Sequence, residues 1–152
     1  MKETQSSLSH SKIQCATNRE QIRSCYNVMH QLRPHFTSEE AFANQVERQM
    51  SQGYRLAYLE DEGHVKAVTG FKYLEFLAWG KVIYIDDLVS DAATRGKGYG
   101  SALLKWVISE AKKADCDQVH LDSGHHRYDA HRFYLNHGFK ITNHHFLLGL
   151  KE

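Results

Sequence analysis

The 152-residue chain predicts an α+β fold, mixed in its α/β content, with six to seven strands and four helices in the order β-α-α-β-β-β-α-β-α-β. Three observations carry that prediction. Apolar spacing switches repeatedly between the helical period of about 3.6 and the strand period of two. Pro34, Gly53, Gly80, Gly138 and an Asp-Glu-Gly triplet fall at the switches. A nearly unbroken apolar run, Val82 to Val89, also leads through a glycine-rich turn directly into an amphipathic helix.

In chain order, Lys12 to Ala16 is a short strand behind a polar lead-in, residues 1–11. Asn18 with Gln21 reads as a capping box opening a helix in which Ile22, Cys25, Tyr26 and Met29 recur at helical spacing, with Pro34 just past its end. Thr37 and Glu40 make a second capping box, and Phe42, Val46 and Met50 form one face of the helix that Gly53 closes. Tyr54 to Glu60 alternates as a strand, Asp61-Glu62-Gly63 is a turn, and His64 to about Leu77 is a longer strand. Gly80 turns the chain into the Val82–Val89 strand, which carries the pair Asp86-Asp87.

The next helix runs from about Gly98 to Ala114 and buries Leu103, Leu104, Val107, Ile108 and Ala111. Lys112 and Lys113 lie near its C-terminal end, where the dipole favours cations. Val119 to Asp122 is a short strand, Arg127 to about His137 a short helix closed by Gly138, and Phe139 to Leu150 supplies one or two final strands. With no repeat and no long linker, residues 12–152 read as a single domain.

Nineteen Lys and Arg against 18 Asp and Glu leave a formal charge of +1. That balance argues against a nucleic-acid partner held by bulk electrostatics. No run is long and apolar enough for a bilayer span, and the polar first residues lack the core of a signal peptide. Cys15, Cys25 and Cys116 are too few and too scattered for a disulfide framework, so a reducing cytoplasm is the expected setting.

Chemistry concentrates at Arg95-Gly96-Lys97-Gly98-Tyr99-Gly100. The first turn of a helix offers unpaired backbone N–H groups and a dipole that favours an anion. Glycines at 96, 98 and 100 let a ligand approach that backbone closely, and Arg95 and Lys97 add positive charge. The loop therefore suits a pyrophosphate. Its G-x-G-x-G spacing fits neither a Walker loop nor the dinucleotide fingerprint G-x-G-x-x-G.

The hexapeptide resembles the Q/R-x-x-G-x-G/A motif of the GNAT N-acetyltransferase superfamily. Asp87-Leu88-Val89 resembles the strand before that motif, and Phe133-Tyr134-Leu135-Asn136-His137-Gly138-Phe139 its downstream F-Y-x-x-x-G-F segment. The element order also agrees, so the resemblance covers nearly the whole chain. It implies a central mixed, mostly antiparallel sheet and acetyl-CoA as acyl donor. It further implies the donor's pyrophosphate on the amides of Gly96, Lys97, Gly98, Tyr99, Gly100 and Ser101, and its pantetheine arm along Leu88 and Val89, with a backbone amide there polarising the thioester carbonyl. Homodimers are frequent among such proteins.

The implied reaction has two proton problems. An alkylamine is mostly protonated at neutral pH and cannot attack, and a thiolate leaves more easily once protonated. Tyr134 matches the tyrosine that often serves as acid in the family. Asp86 and Asp87 are candidates for the base, or for pairing with a cationic substrate. Neighbours on a strand point to opposite faces, so at most one of the two should face a cleft squarely. Together with Asp122 they lean towards a small cationic amine as acceptor, shaped by the segment around Arg33 to Phe42 and by the last strands. Arg127 stands where many relatives carry an asparagine that contacts the CoA arm.

Other signals point less far. The paired His125-His126 and His144-His145, with His131, lack the spacing of a metal site, so no metal is expected. Cys116 has no neighbouring base, and Trp79, Trp106 and Phe76 read as core or rim aromatics. Rival readings are a non-catalytic acyl-CoA-binding sensor, a protein lysine or N-terminal acetyltransferase, and a nucleotide-binding protein that uses the same loop.

Overall fold

A computed structural model describes residues 10–151; all but the last two residues of the polar lead-in therefore lie outside the described residues. The strands are β1 (Lys12–Cys15), β2 (Arg55–Asp61), β3 (His64–Phe76), β4 (Gly80–Ser90) and β5 (Gln118–Leu121). They form one sheet in that order. The helices are α1 (Arg19–Ser24), α2 (Tyr26–Leu32), α3 (Glu39–Met50), α4 (Tyr99–Lys113) and α5 (Tyr128–Asn136). The chain divides into two compact units on either side of the His120–Leu121 bond.

In the first unit, β1–β2, β2–β3 and β3–β4 are antiparallel pairs. Helices α1 to α3 close a core in which Ile22, Cys25, Met29, Phe42 and Val46 meet Leu56, Tyr58, Val68 and Val89 of the sheet. Helix α4 packs on β2, β3 and β4 and buries Leu103, Leu104, Val107 and Ala111, with Trp106 edge-on to Phe71. Covered on both faces, β2 is buried at Leu56, Ala57, Tyr58 and Leu59 alike, so the alternation read from its sequence does not mark a solvent face. Arg19 and Arg23 on α1 reach Glu39, Glu40 and Glu47 on α3 in an exposed ion-pair network.

Four expectations need correction. Among the described residues five helices stand where four were expected, because the segment after Asn18 breaks at Cys25 into α1 and α2. Ser24 Oγ donates to the Gln21 carbonyl at 2.6 Å and Cys25 N to Ile22 O at 3.0 Å, so an i→i+3 turn tightens the helix there. The α3 cap is Ser38, not Thr37: its hydroxyl accepts from Ala41 N at 3.0 Å, which leaves Glu40 for the arginines.

Among the described residues the sheet has five strands and not six or seven, since residues 139–151 form no regular element. A strand needs a neighbour to complete its ladder, and the described residues of the second unit after Leu121 contain no strand. The last correction is in β4. Gly70 pairs with Asp87 and Phe71 with Ile85, so Asp86 is the extra residue of a β-bulge and strict alternation fails at the Asp-Asp pair.

Candidate functional site

The glycine loop begins from a fixed point. Asp91 caps a 3-10 turn, Ala92–Thr94, accepting from Ala93 N at 3.2 Å and from Gln31 Nε2 at 3.1 Å. Those hydrogen bonds, Gln31 first, hold its carboxyl below the ordinary range. Gln31 Oε1 in turn accepts from Ala92 N at 2.9 Å, so α2 clamps the entry to the loop.

Gly96 and Gly98 then take φ of 88° and 86°, the left-handed region that side chains avoid. Gly98 is the N-cap of α4. The first i→i−4 bond of α4 runs from Ala102 N to Gly98 O, so the amides of Tyr99 and Gly100 precede the helical ladder. Arg95 and Lys97 are exposed beside them. A β-carbon built on Gly96 would meet nothing, which leaves open space over the loop. Backbone donors, a helix dipole and two cations around open space suit a pyrophosphate.

The Tyr99 side chain points elsewhere. It is buried, and its hydroxyl donates to Asp61 Oδ2 at 2.6 Å. That bond, with burial and the Asp61 charge adding to it, pushes the phenol up to about 12. Tyr99 thereby ties the start of α4 to the end of β2. Leu88 and Val89 are buried in β4 opposite Thr69 and Val68, and Thr69 Oγ1 donates to Asp87 O at 2.8 Å.

A second feature opens between the helices and β4: a cavity of about 190 Å³. Met29, Phe36, Phe42 and Val46 supply apolar wall, while Arg33, His35, Gln45 and Gln49 supply polar wall. Tyr54, Asp86 and Asp87 complete the lining. Both aspartates line this space, and the bulge at Asp86 interrupts the alternation expected of neighbours on a strand.

The two carboxylates are not equivalent. Asp87 accepts from Tyr54 Oη at 2.8 Å on one oxygen and from Arg33 Nε at 2.8 Å on the other. Burial, then the Asp87 charge, drives the Tyr54 phenol well above its ordinary value, so it stays a donor. Among the described residues the Asp86 carboxylate pairs with Lys72 alone, at 3.4 Å, and burial raises its carboxyl while Lys72 pulls it back down. Asp87 is thus held on both oxygens, whereas the Asp86 carboxylate has one longer contact.

The sequence sets Arg33 and Phe42 in an acceptor-shaping segment but does not mark Tyr54 or Gly70 as part of the site. A β-carbon on Gly70 would overlap the Tyr54 hydroxyl, so the glycine makes room for the ring that holds Asp87. A lone glycine inside the long β3 pattern was the available signal.

In the second unit, Tyr134 lies on α5 with Phe133 and Phe139 packed edge-on at 5.3 and 5.8 Å. Burial raises its hydroxyl pKa, and Arg127 opposes this. Gly138, with φ of 90°, ends the helix, and Phe139 N returns to Tyr134 O at 3.1 Å. His131 is turned to the Gly124 carbonyl and His145 pairs with Asp122 at 3.3 Å.

Among the described residues, no three His, Cys, Asp or Glu side chains are grouped to hold a metal, and no helix is long and apolar enough to cross a membrane. Burial and the nearby Asp117 raise the Cys116 thiol, which makes it a poor nucleophile.

The profile of the Acetyltransferase (GNAT) family matches residues 19–139. The chain belongs to the GNAT family. A GNAT relative, the uncharacterized N-acetyltransferase YhdJ of Bacillus subtilis, is 33% identical over 128 residues, covering 84% of this chain and 90% of that protein. The aminoalkylphosphonate N-acetyltransferase of Salmonella typhimurium is 39% identical over 66 residues, 43% of each chain. An aminoglycoside N-acetyltransferase solved in complex with CoA shares the GNAT fold at a TM-score of 0.78 and 13% identity, covering 92% of this chain and 94% of its own.

Proposed function

We propose that this GNAT protein is an N-acetyltransferase that moves an acetyl group from acetyl-CoA directly to a small primary amine, cationic in solution, bound in the cavity beside Asp86. The observation that carries the reading is the pairing of two features in one unit: a pyrophosphate-type loop at Gly96–Gly100 and a cavity closed by Asp86 and Asp87 on the strand before it. The family match spans both units, which supports residues 12–152 as one acyltransferase domain. The relatives named for their substrates both acetylate amines, one of them with CoA bound in its crystal structure.

Acetyl-CoA supplies an activated acyl group whose carbonyl needs a donor and whose sulfur needs a proton. The amides of Gly96, Lys97, Gly98, Tyr99, Gly100 and Ser101, with Arg95, hold its pyrophosphate. The backbone of Leu88 and Val89 orients its arm, and an amide there polarises the carbonyl. Asp86, with its raised pKa, receives the proton that the ammonium must lose before attack. Tyr134 keeps its proton well above neutral pH and delivers it to the leaving sulfur.

Tyr134→Phe tests the assignment. Turnover measured by free CoA should fall about 10- to 1,000-fold with little change in acetyl-CoA affinity. Unchanged turnover would remove Tyr134 from the mechanism. Acetyl-CoA binding without CoA release across a broad amine panel would favour a sensor instead. Turnover on peptide amines alone would make it a protein acetyltransferase.

A further inference from the structure

We infer that the acceptor carries an anionic oxyacid group (carboxylate, phosphate or phosphonate) remote from its amine, and that Arg33 selects for it. This rests on the acetyl-transfer reading of the cavity. Arg33 follows α2 and lines the cavity with its side chain 42% exposed. Its guanidinium is held along one edge, with Nε and Nη2 each 2.8 Å from Asp87 Oδ1 and Nη2 also donating to the Asp86 carbonyl at 3.0 Å. Asp87 cannot swing away, because Tyr54 holds its second oxygen at 2.8 Å. Among the described residues Nη1 has no protein acceptor. The result is a pre-oriented planar cation that leaves its Nη1 amino group to a ligand.

That arrangement fits an oxyanion. The two N–H groups of Nη1 belong to a delocalised cation and make charge-assisted hydrogen bonds to an oxyanion, and little entropy is lost when the side chain is already fixed. Asp87 has no comparable capacity left for a ligand. The Asp86 carboxylate, paired at 3.4 Å with Lys72 alone among the described residues, does. The cavity thus offers one cationic and one anionic position, the complement of a molecule carrying both an amine and an oxyacid. A neutral-tailed amine would cover Arg33 Nη1 and satisfy none of its donors, which is unfavourable. At about 190 Å³ the space suits a small molecule of this kind, below the range of drug-sized pockets.

The test compares matched acceptors on the full chain at saturating acetyl-CoA: 3-aminopropylphosphonate and 3-aminopropanoate against butylamine, with CoA release as readout. Anionic tails should be favoured by about 10- to 100-fold in kcat/KM, mostly through KM. In Arg33→Met the preference should shrink to within a few-fold, and Arg33→Lys should restore part of it. A neutral tail that matches or beats the anionic ones on the unmodified protein overturns the inference and leaves N-acetylation standing. If Arg33→Met lowers all acceptors equally and keeps their ratio, Arg33 only braces α2 against β4 and the inference fails. If no amine of either kind releases CoA although acetyl-CoA binds, the acetyl-transfer reading itself falls, and the inference with it. Should Arg33→Met not fold, the comparison on the unmodified protein still decides.

Discussion

Gly70 sits mid-strand in β3 with the Tyr54 hydroxyl directly over its α-carbon. Tyr54, Asp87 and Arg33 then form a chain of hydrogen bonds from the sheet to the cavity. Adding one methyl group at position 70 must displace the Tyr54 ring, which is 5% exposed and packed in the helical core. Gly70→Ala should therefore cost about 1–3 kcal/mol, read as a lower urea midpoint at unchanged slope. It should also loosen Arg33 and weaken acceptor binding more than acetyl-CoA binding. A stability equal to the parent protein would mean that the ring moves without cost. Composition and periodicity do not reveal this chain of contacts, because its members are far apart in sequence and only the fold brings them together.

Among the elements, α4 shows how a loop for phosphate is kept in place. Its amphipathic face was legible from the spacing of Leu103, Leu104, Val107 and Ala111, and the loop glycines from their positions. The anchor was not legible: Tyr99 looked like one more loop residue, yet its hydroxyl is bound to Asp61, itself 4% exposed. Tyr99→Phe leaves that buried carboxylate without its partner and should cost about 1–3 kcal/mol. The sign with pH follows from the direction of the shift. The phenol's pKa rises from 10.0 unfolded to about 12 folded. Its contribution is therefore fully present below pH 10 and is lost as pH rises towards about 12. The stability difference between parent and Tyr99→Phe, from paired melts, should stay level to pH 10 and then shrink. A difference that grows across that window would contradict the assignment.

For the molecule as a whole, the class and order of the elements could be read from period and punctuation. The strand count could not, because local pattern cannot say whether residues 139–151 find a ladder. The pairing of Asp86 with Lys72 and of Asp87 with Arg33 was likewise illegible, since a bulge reverses parity without any mark in composition. Hydrogen exchange gives a check at this scale. Amides of Leu56–Leu59, Ala67–Phe71 and Val82–Ile85, in strands covered on both faces, should exchange slowest, and those of the exposed first turn of α3 far sooner. The bulge has one more consequence, this time for divergence. It releases the Asp86 carbonyl from the ladder, and Arg33 takes it up at 3.0 Å. Replacing Arg33 thus disturbs the backbone of β4 as well as the choice of acceptor, whereas His35, Phe36 and Gln45 carry no such second duty. Lineages that change acceptor by single steps should alter those three walls first and keep position 33 until last.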